Sequence, residues 1–249
     1  MKIYVCKDYE RMSKVAANYL AAQINIKPDS ILGLATGSTP VGMYEELVKK
    51  CESREISFKN IKTFNLDEYV NLPKENINSY YTFMHSNLFD KVDINQNNIN
   101  MPNGNTKDFD SYSKEYEEAI ASNGGLDLQV LGIGNNAHIG FNEPNEYFSK
   151  ETGVVDLTKS TIDANSRFFD SIEEVPNQAI SMGIGTIFKS EKIILLASGK
   201  TKAEAINNTV NGPIDPHVPA SILQLHKNVL LVVDEEAASL LDKNSYEIV

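Results

Sequence analysis

A chain of 249 residues with 41% hydrophobic residues can bury a sizeable core, in one large α/β domain or two small ones. Its formal net charge of −11 disfavours nonspecific nucleic-acid binding and attraction to anionic membranes, but leaves open an anionic small molecule held in a local positive pocket. Cys6 and Cys51 form no CxxC pattern, the start MKIYVCKDYE lacks an apolar signal core, and no apolar run approaches the ~18 residues of a span. A cytoplasmic protein with reduced cysteines is therefore expected. His85, His138, His217 and His226 show no ligand spacing, so no metal is expected.

In chain order, Ile3–Cys6 reads as a strand and Tyr9–Gln23 as a helix with Met12, Val15, Ala16, Tyr19 and Leu20 on its apolar face. Ile31–Ala35 is the next strand, and Pro40 opens a helix to about Lys50. Lys62–Leu66 reads as a third strand ending in Asp67-Glu68-Tyr69, followed by helices over Ser79–Leu88 and Phe109–Ser122. Leu126–Gly132, Ile193–Ser198 and Val229–Val233 are further buried strands, with helices over Lys202–Thr209 and Glu236–Leu241. The polar stretches Asn71–Asn78 and Asp93–Asn105 read as loops, and Asn145–Asp170 shows little periodicity and reads as a mobile lid or cover. This alternation predicts a single α/β domain over residues 1–249, with a mostly parallel sheet covered by helices on both faces.

Ligands of such sheets sit at the carboxyl ends of strands, where this chain concentrates its polar residues. Thr36-Gly37-Ser38-Thr39-Pro40 joins a strand to a helix, and its glycine, hydroxyls and helix N-terminus suit a phosphate. No Gly-Lys-Ser/Thr follows, so a nucleoside triphosphate is not implied; an ordinary Ser/Thr helix cap is the competing explanation. Asp67 and Glu68 are adjacent and point in different directions, so one faces the crevice, where a carboxylate can remove a proton from carbon. The stretch LGIGNNAHIGFNEP, Leu131 to Pro144, puts amides, His138 and Glu143 in one turn. A histidine there can carry protons near neutral pH, and Glu143 is close enough in sequence to orient or charge it. Arg167, beside Phe168 and Phe169, and Lys202, at a strand–helix turn, are natural phosphate ligands in so acidic a chain.

The segments GLATGSTP, NLDEY, LGIG-x-x-x-HIGFNEP, NSRFF, MGIGTI and ILQLH occur in an order that resembles the glucosamine-6-phosphate deaminases, over about residues 1–242. The resemblance implies a Rossmann-like fold with a lid. It also implies conversion of glucosamine 6-phosphate and water to fructose 6-phosphate and ammonia, in amino-sugar catabolism and without an organic cofactor. Carried over by position, Asp67 matches the acid that takes the C2 proton and returns it at C1. His138 matches the histidine that opens the ring, and Glu143 the carboxylate that supports it. Gly37, Ser38, Thr39, Arg167 and Lys202 match the phosphate site. A related 6-phosphogluconolactonase would have no use for the NLDEY acid or for Glu143, and a sugar-phosphate sensor would have no use for a tuned proton-transfer set.

Departures from the family pattern carry their own expectations. Asn136 stands where many members carry an aspartate; it is expected to hold the imidazole by a hydrogen bond while bringing no charge to stabilise an imidazolium. Ala137 stands where glycine is frequent, at a cost of about 1 kcal/mol if φ is positive. Gly153 and Val155 replace basic residues of members activated by N-acetylglucosamine 6-phosphate, so a constitutive enzyme is expected. The oligomeric state is left open, a homo-oligomer included.

Overall fold

The apolar runs assemble into a sheet whose strand order reverses at its centre, and that reversal positions the site. The computed structural model describes residues 1–249. Its first half contains β1 (Lys2–Cys6), α1 (Tyr9–Ile26), β2 (Ile31–Leu34), α2 (Val41–Glu52), β3 (Lys62–Asn65), β4 (Asp67–Tyr69), α3 (Tyr80–Asn87), β5 (Ile99–Asn100) and α4 (Phe109–Ser122). The second half contains β6 (Leu128–Leu131), β7 (Gly153–Asp156), α5 (Lys159–Asn165), β8 (Gln178–Ser181), α6 (Ile184–Phe188) and β9 (Ile193–Ala197). It closes with α7 (Ala203–Asn211), β10 (Val229–Asp234) and β11 (Glu247–Ile248).

The main sheet has eight strands in the order β11-β1-β10-β9-β6-β2-β3-β5, and every pairing in it is parallel. β2, β6, β9 and β10 are buried along their whole length, which explains their continuous Leu/Ile/Val character: helical crossovers hide both faces of a parallel sheet. From β2 the chain steps outward to β3 and β5, then returns to β6 on the other side of β2. A crevice opens at the carboxyl ends of strands where the order reverses in this way.

Local chemistry explains the helices. Asp8 caps α1 by accepting from the Arg11 amide at 2.8 Å, and Met12, Ala16, Leu20 and Ile24 form its buried stripe. Asp108 caps α4, Ser79 caps α3 and Thr158 caps α5 in the same manner. No helix is long and apolar enough to cross a membrane.

A second sheet, β4-β8-β7, is antiparallel. It changes several expectations. Asp67-Glu68-Tyr69 is a strand of its own rather than the end of β3, because β8 supplies a partner far along the chain. Residues 145–170 are partly regular: β7 pairs with β8, and Thr158 starts α5. Ile99–Asn100, inside a predicted loop, adds a two-residue edge strand beside β3. Glu236–Leu241 is a run of turns, not a helix. There the Asp234 carboxylate takes the Ala237 amide at 2.8 Å and bends the chain at the end of β10; so short a segment gains little from helix propagation.

Candidate active site

The cleft at the strand reversal has a volume of about 420 Å³ and draws its walls from the ends of β2, β6 and β9, from β4 and from α5. Gly37, in the turn after β2, has φ +88° with open space where a side chain would stand. A residue with a Cβ would be strained there. α2 begins at Val41 after Pro40, and no side chain caps it. The Ser38 and Thr39 hydroxyls are thus not used as helix caps, and both residues line the cleft. Tyr9 braces the turn from α1: its hydroxyl donates to the Ser38 carbonyl at 3.1 Å and accepts from the Gly42 amide at 2.8 Å.

Arg167 and Lys202 line the same cleft, and neither has a carboxylate partner. Burial, and then the neighbouring Arg167 charge, pull the Lys202 ammonium below its ordinary pKa. Two unpaired cations held near each other in a chain of net charge −11 need an anion to relieve their repulsion. The Arg167 guanidinium also lies 4.7 Å over the Phe168 ring, which steadies it.

The two acids of β4 point to opposite faces, as the period of a strand requires. Asp67 lines the cleft. Burial, with the Glu68 carboxylate adding to it, pushes its pKa up to about 8. Tyr80, stacked on Phe141 at 6.0 Å, shares the surrounding wall. Glu68 faces away and accepts from the amides of Tyr69, Tyr80 and Tyr81 at 2.9, 3.0 and 2.9 Å. It anchors the first turn of α3, where orphan amides and the helix dipole favour an anion. Burial raises its pKa while those three amides oppose the rise.

His138 and Asn136 line the cleft; Glu143 sits behind them and does not. His138 Nδ1 lies 3.2 Å from Glu143 Oε2, and Asn136 Nδ2 donates to the same oxygen at 2.6 Å. Thr158 Oγ1 donates to Glu143 Oε1 at 3.1 Å, and Thr161 Oγ1 makes a short hydrogen bond to that atom. Burial alone would raise Glu143, but the bond and charge of His138, then Thr161 and Asn136, hold it at about 2. The expectation that Asn136 holds the imidazole is corrected here. Its amide serves the carboxylate, and its Oδ1 meets only the His138 backbone amide, at 3.3 Å. Gly134 lets the imidazole lie against the turn, since a Cβ there would sit 2.3 to 2.5 Å from three ring atoms.

Ala137 has φ +65° and is buried. Left-handed backbone costs an L-residue about 1–2 kcal/mol. Against that, glycine would add roughly 0.5–1 kcal/mol of unfolded-state freedom and remove a methyl worth about 0.8 kcal/mol. We expect Ala137→Gly to change unfolding stability by less than ~1 kcal/mol in urea titration, the strain and the methyl offsetting each other. A loss above ~2 kcal/mol would show that packing of the methyl dominates.

All the residues expected at the site except Glu143 therefore meet in one cleft, with Glu143 one layer behind. Sequence reasoning missed Thr158, Thr161, Tyr80 and Ser181, whose hydroxyl accepts from the Phe141 amide at 3.0 Å. Thr158 carries a legible signal as an N-cap, but which carboxylate it would meet is set only by how α5 folds back over the cleft.

Residues 8–232 match the family described as glucosamine-6-phosphate isomerases/6-phosphogluconolactonase. A Clostridioides difficile (strain 630) protein named glucosamine-6-phosphate deaminase is 57% identical over 249 residues, covering 100% of both chains. A namesake from Clostridium botulinum (strain Alaska E43) is 54% identical, again over 100% of both. A solved monomeric glucosamine-6-phosphate deaminase superposes with a TM-score of 0.94 at 46% identity, covering 96% of this chain and 100% of its own. The 6-phosphogluconolactonase of Trypanosoma cruzi shares the fold at 20% identity and a TM-score of 0.76, over 96% of each chain. With its cleft at the strand reversal and its full-length likeness to named enzymes, the chain belongs to the glucosamine-6-phosphate isomerase/6-phosphogluconolactonase family of α/β enzymes.

Proposed function

We propose that this chain converts glucosamine 6-phosphate and water to fructose 6-phosphate and ammonia, as a cytoplasmic step of amino-sugar catabolism. The observation that carries the reading is the meeting, in one cleft, of a buried carboxyl at Asp67, His138 backed by Glu143, and two unpaired cations. A sensor needs only the cations. A lactone hydrolase needs no base poised over a carbon next to a carbonyl.

Ser38, Thr39, the adjoining amides, Arg167 and Lys202 hold the phosphate, which fixes the sugar and lets remote binding energy orient C2. His138 moves a proton from O1 to O5, so that the ring C1–O5 bond breaks and the C1 aldehyde forms. Glu143 keeps the imidazole turned to that task. Asp67, as carboxylate, takes the C2 proton; the C2–H electron pair becomes a C1=C2 bond, and the aldehyde oxygen takes up the proton that the substrate's C2 ammonium gives up, so that a neutral enolamine forms. Return of the proton at C1 leaves a C2 iminium. Water adds to C2 and ammonia departs, leaving the ketone. Residues 145–170 serve as a cover over the bound sugar.

Gly153 and Val155 lie in β7 and bring no cation to that segment, which supports a constitutive enzyme. The test is ammonia release together with fructose 6-phosphate formation from glucosamine 6-phosphate, at several substrate concentrations with and without N-acetylglucosamine 6-phosphate. Hyperbolic turnover unaffected by the acetylated sugar is expected. Binding without ammonia release would leave the sensor reading instead, and a sigmoidal curve made hyperbolic by the acetylated sugar would defeat the constitutive one.

A further inference from the structure

The carboxylate behind His138 draws half of its hydrogen bonds from a different part of the chain than the histidine. Asn136 and His138 reach Oε2 of Glu143 from the turn after β6, whereas both hydroxyls on Oε1 come from the first turn of α5. Thr158 is the cap of that helix, and Thr161 is buried. The same helix runs on into the turn that carries Arg167, and Ser160, Thr161, Ala164, Asn165 and Arg167 line the cleft along it. Six residues of helix and turn rise by about 9 Å, so one short rigid element touches both the phosphate end of the cleft and the back of the proton-transfer pair.

We propose that Thr161 is a positioning residue: its hydroxyl, delivered by α5, keeps Glu143 an acceptor turned toward His138, so that placing Arg167 on the substrate phosphate also sets the ring-opening pair. This rests on the deaminase reading. Without the Thr161 donor, Oε1 keeps only the longer Thr158 bond, and the carboxylate is freer to rotate or to take up a proton. His138 is the titratable group in contact with Glu143. Asp67, Arg167 and Lys202 line the cleft in front of the pair, and Asp156 lines the hollow on the far side of Glu143. None of these others touches Oε1, so a change in the titration of Glu143 is assignable to the lost hydroxyl.

The experiment compares the native protein, Thr161→Val and Thr161→Ser in turnover of glucosamine 6-phosphate and in urea midpoint across pH. Valine keeps the shape and removes the hydroxyl; serine keeps the hydroxyl and removes a methyl. We expect Thr161→Val to lower kcat by ~10- to 100-fold, the scale of a lost outer hydrogen bond to a working group. KM should stay within about threefold, and the acid-side fall of the urea midpoint should begin at higher pH than in the native protein because Glu143 is less firmly held as the carboxylate. Thr161→Ser should recover most of kcat and the native acid response.

An acid-side fall of the urea midpoint at the same pH as in the native protein, an equal loss in the serine variant, or a loss confined to KM would each overturn the proposal, while ammonia release by the native protein would keep the deaminase reading standing. A native protein that releases no ammonia overturns both. Should Thr161→Val fail to fold, Thr158→Val carries the same test on the same oxygen, with a smaller loss of kcat and the same direction of pH shift; no change there overturns the proposal.

Discussion

Asp67→Asn lowers turnover of glucosamine 6-phosphate by ~10³- to 10⁴-fold, at the upper end of what one acid–base group contributes, while sugar-phosphate binding by calorimetry stays within a few fold. The amide copies the carboxylate's shape and cannot accept a proton from carbon. The proposed phosphate site stands on other elements, the turn after β2 and the residues Arg167 and Lys202, which line the same cleft, so binding is expected to survive. The same variant raises the melting temperature, because it removes from a buried strand a carboxyl whose charged form is disfavoured by burial and by Glu68. That environment also makes a better base of Asp67 than an exposed aspartate would be. In the proposed reaction the carboxylate is the working form, and burial with the Glu68 charge pushes its pKa up to about 8. Native kcat/KM accordingly climbs as pH rises through about 8 and levels off above it. A variant that keeps a tenth of native activity, or a native profile flat from pH 6 to 9, would remove Asp67 from the role of base.

Glu143→Gln is the second large effect, and it shows in two readouts. The carboxylate accepts from His138, Asn136, Thr158 and Thr161. A glutamine amide turns an NH2 toward one of those sets of donors, leaving buried polar groups without partners at ~1–3 kcal/mol. Turnover falls by roughly 10²-fold as the imidazole loses its fixed direction and its charge partner. Stability also loses its acid dependence. The Glu143 pKa of about 2 lies below the ordinary 4.5, so ionisation stabilises the native fold above about pH 4.5, and this is lost as pH falls toward 2. At ~1.4 kcal/mol per unit, discounted for partial exposure and for coupling to His138, that contribution is ~2 kcal/mol. Urea midpoints of the native protein should fall between pH 5 and 2.5 by more than those of the variant. Parallel curves would mean that Glu143 is not held ionised by its neighbours.

Six of the eight strands of the main sheet, all but the two-residue edge strands β5 and β11, were legible because their signals are local. The strands after the first are short apolar runs bounded by turn residues, and α4 begins and ends where its apolar period and the cap Asp108 place it. The cleft was legible because a parallel sheet brings the ends of β2, β6 and β9 to one edge whatever the details of the helices. What could not be read depends on pairings distant in sequence. β4 is a strand only because β8 lies against it, and its two acids cannot be told apart until that pairing decides which faces inward. The direction of Asn136 follows from the competition between an imidazole and a carboxylate for one amide, and the carboxylate, the stronger acceptor, wins it. Thr161 carries no sequence signal, since a threonine one turn into a helix is ordinary until the helix is seen to fold back over Glu143.

The back-to-back placement of Asp67 and Glu68 has a consequence for how this protein can change. A register slip of β4 by a single residue against β8 would exchange the two carboxylates. The longer one would enter the cleft, with its carboxyl displaced by a methylene, while the shorter one would face three amides it cannot all reach. Every atom needed for the chemistry would remain, and neither job would be done. Insertions and deletions between Asn65 and Tyr69 are therefore closed to this lineage in a way that those in the Asn71–Asn78 loop are not. The role proposed for Asp67 is defined by its count along the strand as much as by its chemical type.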